Sequence, residues 1–330
     1  MTTIHCLARW GVSSALAALV LSTAGCGGSA GAAGDTGFGG GTGSAFTTAA
    51  QPLYTAVPDT SICRAGTLTA AEKSGALATV NAIRAAHGLA AVAYEAAGDA
   101  EVMQISLMSV ANSALSHAPP SNWNCYSAAG QQGATSSNLY LGGPSAFLTL
   151  ASSASILGGW LADVGSEATL GHRRWMLDPF LKQIAFGRVD AESASGVRTT
   201  AAALKVIYAA DDAGPVTPDY VAYPVGNYKK AYFQGNPILS FTAIADKSSR
   251  TANGIAKVDF GAATVSVVPR GGAALAVSSV SPDYVGYGVP NVLRFRATGI
   301  TAGVFHDVTV ANVRVNGVLR SYSYTFRLVD

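Results

Sequence analysis

Charge is scarce in this chain. Only 12% of its 330 residues are Asp, Glu, Lys or Arg, against about 25% in ordinary globular proteins. The formal net charge is +2, and there is no basic run or stripe, so the electrostatic footprint of a nucleic-acid binder is missing. Cysteines number four, with no C-x-x-C pair and no Cys/His cluster, which excludes the usual structural zinc frameworks. No Gly-x-Ser-x-Gly elbow is present. No apolar run is long enough to span a bilayer as a helix. With so few charges, the surface must be covered largely by Ser, Thr, Ala, Gly and Asn.

What is present begins with an export signal. Residues 1–25 carry one charge, Arg9, then an apolar run from Gly11 to Leu21, then Ser22-Thr23-Ala24-Gly25 before Cys26. These are the n- and h-regions of a secretory signal. The ending resembles a bacterial lipobox, which implies acylation of Cys26 and a membrane anchor, although Thr23 stands where a larger aliphatic residue is usual. Ordinary export with cleavage nearby is the alternative. Acyl chains contribute about 0.8 kcal/mol per buried methylene, so multiple acylation would hold the protein on a membrane surface.

Residues 26–58 are dominated by Gly, Ala, Ser and Thr and are expected to form a flexible tether. Its end-to-end reach is about 30 Å by the square-root rule for Gly-rich coils. Removal of Cys6 with the signal and use of Cys26 as an anchor leave Cys63 and Cys125. Export favours one disulfide between them, two separate buried thiols being the other reading. A 62-residue loop closed this way is stabilised by about 4 kcal/mol in the chain-entropy model.

The remaining roughly 270 residues suffice for two domains, divided here as 59–212 and 213–330. In the first, Thr69-Ala70-Ala71-Glu72 is a capping box, and a helix should run to His87 with Leu77, Val80 and Ile83 on one face and Gly88 as its stop. A second helix is expected over Asp99 to Leu115, and a third over Pro144 to Asp163, where Phe147, Leu150, Ala154, Leu157 and Leu161 recur at helical spacing. Ile184–Val189 and Leu204–Ala209 read as strands. Helices first and strands late suggest an α+β fold. After Asp211-Asp212-Ala213-Gly214-Pro215, five apolar strands follow: Ile238–Ile244, Thr264–Val268, Asn291–Ala297, Asp307–Val315 and Ser321–Val329. Asn316-Gly317 is a type I′ hairpin signal, and the alternation of Tyr322, Tyr324, Phe326 and Leu328 buries one face. These features predict an immunoglobulin-like β-sandwich of roughly 115 residues.

Four clusters occur in order: Leu115-Ser116-His117, Ser136-Ser137-Asn138-Leu139, Trp160-Leu161-Ala162-Asp163 and Gly171-His172-Arg173-Arg174-Trp175. Asn81-Ala82-Ile83-Arg84 precedes them and Ile184-Ala185-Phe186-Gly187 follows. Over about residues 75 to 210 this pattern resembles the CAP superfamily, the extracellular cysteine-rich secretory, antigen 5 and pathogenesis-related proteins, and looks especially like bacterial members. The resemblance implies an α-β-α sandwich with an open cleft, and in some members a following β domain that serves as a spacer or binding module. It places the two cleft histidines at His117 and His172. The family's first acid falls on Ser137, and its second on Asp163, one methylene shorter than glutamate. Glu167 matches no family position.

Two histidines flanked by acids could hold a divalent metal such as zinc. The expected function is a non-catalytic extracytoplasmic binding or cell-envelope module. Its cleft would bind a small apolar or peptidic ligand, or an envelope component. The alternative is a metal-assisted hydrolase with His117 and His172 as ligands and Asp163 as orienter or base, and the missing acid counts against it. Adhesion through the β-sandwich alone is a third reading. Ser137, His172 and Asp163 also have the composition of a nucleophile, base and orienter, one that chance supplies in most domains. Each also has a plain structural role open to it: His117 as a loop cap, His172 as a hydrogen-bond donor, Arg173 and Arg174 as partners of Asp178 or backbone carbonyls, and Trp160 and Trp175 as core.

Overall fold

The computed structural model describes residues 44–208 and 214–330. Thr69 caps α2 (Ala70–Ala86) through its side-chain oxygen, as the capping box predicts. Glu72 does not reach back to the cap, because its carboxylate accepts from the Ser153 hydroxyl instead. The chain is already ordered before this point. A short helix α1 (Ala45–Ala50) and strand β1 (Tyr54–Ala56) occupy residues expected to belong to the tether. Strand β1 pairs with β2 (Thr67–Leu68). Tyr54 draws this segment in: it is buried, and its hydroxyl donates to Asp190 at 2.6 Å. The rest of the tether, the signal and Cys26 lie outside the described residues.

A four-stranded sheet follows, ordered β3 (Ala93–Tyr94), β5 (Gln183–Glu192), β6 (Arg198–Lys205), β4 (Ser137–Ser145). One face carries α3 (Asp99–Asn112) and α4 (Ala128–Ser136), where Val102, Ile105, Met108 and Ala134 meet Ala185 and Ala203. On the other face, Val80 and Ile83 of α2 and Leu157 and Leu161 of α5 (Ser153–Ala162) join Phe186 and Leu204. The arrangement is an α-β-α sandwich. Cys63 and Cys125 are bonded to each other.

Several boundaries differ from expectation. Helix α3 stops at Asn112 because Ser113 turns left-handed at φ 49°. The helix expected over Pro144 to Asp163 begins only at Ser153, since residues 137–145 pair with β6. Phe147 is therefore not packed on a helix face but 90% exposed. The strand expected from Leu204 lies earlier, at Arg198–Lys205, and residues 209–213, including the expected domain boundary, are outside the described set.

The C-terminal part is a β-sandwich. One sheet runs β10 (Val258–Asp259), β14 (His306–Val315), β15 (Val318–Val329), β8 (Gly226–Lys229), with β11 (Thr264–Pro269) also on β14. The other runs β12 (Ala276–Asp283), β13 (Val292–Thr298), β9 (Leu239–Ala243), β7 (Tyr220–Tyr223). Asn316 and Gly317 both have positive φ, 50° and 79°, in the β14–β15 turn, as type I′ geometry demands. Tyr324, Phe326 and Leu328 are buried.

The sandwich does not hang free. One buried cluster runs from Ile83 and Leu161 into Tyr223, Tyr228, Phe241 and Phe326. Polar groups tie the same contact. The α6 helix (Gly171–Met176) sends Arg173 into the seam, 1% exposed. Its Nε donates to Leu161 O at 2.7 Å and Nη2 to Ala162 O at 2.6 Å, while Nη1 reaches Ile238 O at 2.6 Å and Ser240 Oγ at 3.2 Å. The guanidinium lies 3.7 Å from the Tyr223 ring centroid. His87, at the end of α2, donates from Nδ1 to Ala222 O at 2.8 Å and accepts at Nε2 from Tyr228 at 3.1 Å. Arg84 carries α2 onto the segment after α6 through the Met176, Asp178 and Leu181 carbonyls. Asp178 pairs with Arg250 at 2.6 Å, not with Arg173 or Arg174.

Lysine cannot reproduce this fork. Arg173→Lys should therefore lower stability by about 3 kcal/mol, or roughly 5–10 °C in Tm, whereas Arg198→Lys, a partly exposed pair with Glu192, should shift it little. Calorimetric melts of both variants check this; similar small shifts would show the fork to be dispensable. His87 predicts a pH effect. Burial, opposed by the Ala222 hydrogen bond and reinforced by the Arg173 and Arg84 charges, pushes its pKa from 6.5 down to about 4. The unfolded imidazole takes up a proton below 6.5 and the folded one does not until about 4, so this stability is complete above 6.5 and is lost as pH falls toward 4. The loss is about 2 kcal/mol at pH 5. Denaturant unfolding at pH 7.5 and 5.0 should show His87→Gln losing less on acidification than the native chain by about that amount, and equal losses would remove His87 as the source.

Candidate functional site

His117, Ser137 and His172 line one open cleft of about 520 Å³, together with Asn138, Thr169 and Trp175. Each arrives on a different element, and three non-glycine residues in the left-handed region set the approach. Ser113 ends α3 at φ 49° ahead of His117, Asp163 caps α5 at φ 54°, and Leu170 opens α6 at φ 52° just before His172. Such conformations cost of order 1 kcal/mol or more for non-glycine residues and gather where a site holds its groups in place.

Asp163 is buried, and both of its oxygens are engaged. Oδ1 accepts from His172 Nδ1 at 2.8 Å, and Oδ2 from the Arg173 amide at 3.2 Å. The carboxylate thus stands behind the imidazole and fixes its tautomer. Asn138 donates to the His172 carbonyl at 3.1 Å. Trp160 backs the ring at 6.4 Å between centroids and anchors itself by donating to Leu139 O at 3.0 Å. His117 donates from Nδ1 to Ala134 O at 2.7 Å. The Nε2 of each histidine is left as an acceptor without a protein partner among the described residues.

Ser137 opens β4, opposite Lys205 in register. Its Oγ is buried and has no hydrogen-bond partner, a state that costs about 1–3 kcal/mol for a desolvated group. It is not hydrogen-bonded to His172, so the nucleophile, base and orienter ingredients do not form a connected triad. Glu167 is not among the residues lining the cleft; it faces Arg296 at 3.7 Å, and backbone N–H groups hold its pKa down.

A metal can be tested against these donors. Two imidazole nitrogens are available, but the one nearby carboxylate is already spent behind a ring and Ser137 offers a neutral hydroxyl. Among the described residues no group of three or more His, Cys, Asp or Glu side chains is placed to hold a metal ion. The set falls short of the three protein ligands that a catalytic zinc requires.

A second lobe of about 320 Å³ shares Ser166 and His172 with the first and is lined by Leu115, Leu139, Leu141, Ile156 and Trp160. Trp175, expected in the core, is only partly buried and faces the polar lobe. One wall of that lobe comes from the β-sandwich: Gly286 and Tyr287, in the loop between β12 and β13. Arg174 pins the loop with Nη1 to Asp283 at 2.7 Å and Nη2 to the Val285 and Val289 carbonyls. The approach is so close that a Cβ on Gly171 would meet the Tyr287 ring at 3.1 Å, and one on Gly288, at φ 65°, would meet Arg174 O at 2.8 Å. No motif pointed to Tyr287; an aromatic side chain set between two glycines was the signal available.

Residues 77–206 match the family model described as CAP: Cysteine-rich secretory protein family. With the sandwich and the histidine cleft described above, this identifies residues 77–206 as a CAP domain, of a family whose proteins are typically extracellular. A search of curated proteins found no match. Among the described residues no helix is long and apolar enough to cross a membrane.

Proposed function

We propose that the protein is a bacterial CAP protein, exported and held on a membrane through an acylated Cys26, that acts as a non-catalytic extracytoplasmic binding module. The cleft around His117 and His172 takes a small apolar or peptidic ligand, or a component of the cell envelope. The observation that carries the reading is the commitment of Asp163: both oxygens position His172 and the α6 amide, which leaves no carboxylate to bind a metal or accept a proton from water. A hydrolase of the kind weighed above needs both metal ligands and a separate base. Export is supported by the signal pattern of residues 1–25 and by the Cys63–Cys125 disulfide, a bond typical of oxidising compartments.

Zinc titration tests the non-catalytic reading. At neutral pH the native protein should show no micromolar binding, while Ser137→Glu, which restores an acid beside the two histidines, should gain zinc affinity that is lost again on adding His117→Ala or His172→Ala. Micromolar binding by the native chain, abolished in each histidine variant, would overturn the reading in favour of metal chemistry. The anchor is checked by metabolic labelling with palmitate. Label should appear on the native protein and vanish in Cys26→Ala; an unlabelled native protein would leave secretion without a tether.

A further inference from the structure

The polar lobe has a definite chemical character. Among its described lining residues there is no Asp, Glu, Lys or Arg. A phosphate, carboxylate or ammonium ligand would find no carboxylate, ammonium or guanidinium among these lining residues, and charged groups need a partner when desolvated. The lobe offers the hydroxyls of Ser166 and Thr169, two imidazoles, and the aromatic rings of Trp175 and Tyr287. Groups that both donate and accept, set beside aromatic rings, match a ligand with hydroxyls around its edge and C–H bonds on its faces.

We propose that this lobe binds an uncharged saccharide, with Tyr287 of the β-sandwich as a stacking platform. The inference rests on the cleft being a binding site and narrows its ligand to one class. It also gives the C-terminal sheets a part in recognition, because the Tyr287 loop is held to α6 by Arg174 and closes one side of the cleft. The lobe, at about 520 Å³, lies within the usual range for small-molecule sites and has room for more than one sugar ring.

The test titrates the purified full-length chain with tetramers of N-acetylglucosamine and of glucose, and in parallel with sodium myristate and an uncharged tripeptide, read by tryptophan fluorescence and calorimetry. A saccharide tetramer should bind saturably in the millimolar range or tighter. Affinity should fall about tenfold or more in Tyr287→Ala and stay within about threefold in Tyr287→Phe, since the ring face and not the hydroxyl makes the contact. Tyr287→Leu, which keeps apolar bulk over Gly171, serves if the alanine variant fails to fold and should show the same loss. Saccharide binding that ignores these changes would overturn Tyr287 as a platform. Saturable binding of myristate or tripeptide without saccharide would overturn the saccharide inference and leave the cleft as a binding site. No binding of any probe would overturn both.

Discussion

Arg173 places a full positive charge in the interior, and both halves of the structure are arranged around it. A buried guanidinium left unsatisfied would be strongly destabilising. Its donors are met by carbonyls whose own positions matter: Leu161 and Ala162 end α5, and Ile238 leads into the β-sandwich. One side chain thus satisfies acceptors at a helix C-terminus, where a cation is also favoured by the helix dipole, and fastens the second set of sheets to the first. Its backbone amide holds Asp163 Oδ2. The main-chain amide of the residue whose side chain makes the seam thus also helps to hold the carboxylate that orients His172.

Burial bears on the two positions where the family resemblance implies acids, Ser137 and Asp163. A glutamate at Ser137 would put a buried carboxylate at the edge of β4 that needs a metal or a second cation to offset its burial. An unpartnered serine hydroxyl costs about 1–3 kcal/mol there, less than an uncompensated buried carboxylate. At the other position, the left-handed turn at Asp163 brings a short side chain directly behind the ring, and one fewer methylene is compensated by backbone placement. What remains is a pair of imidazoles whose Nδ1 atoms are held, one by the Asp163 carboxylate and one by the Ala134 carbonyl.

Much of this fold was legible because local and tertiary preferences agree. Thr69 caps a helix whose buried side is Val80 and Ile83, and Asn316-Gly317 turns a hairpin whose strands alternate cleanly. The misreadings have physical causes. Helix α4 has almost no apolar periodicity, because it approaches α3 through Gly130 and Gly133, where a Cβ would meet Met108 Sδ at 2.2 Å and Glu101 O at 2.3 Å. Smallness, not hydrophobicity, is its packing signal. The spacing of Phe147, Leu150 and Ala154 imitated a helix across a strand and an exposed loop. Helix α6 hides its buried face in two arginines, which no hydrophobic pattern detects. The histidines and Asp163 were legible through family spacing, whereas Tyr287 enters the cleft by topology alone, from a loop more than a hundred residues downstream.

Three consecutive residues on α6 point into three different environments. His172 faces the cleft, Arg173 enters the seam between the domains, and Arg174 holds the loop that carries Tyr287. Successive residues on a helix are about 100° apart, so a six-residue helix can address three surfaces only if all three close around it. The polar lobe is bounded by what His172 faces on one side and what Arg174 holds on the other. A rotation of α6 large enough to widen it would withdraw Arg173 from four hydrogen bonds at once. The width of the cleft is accordingly set by the docking of the β-sandwich.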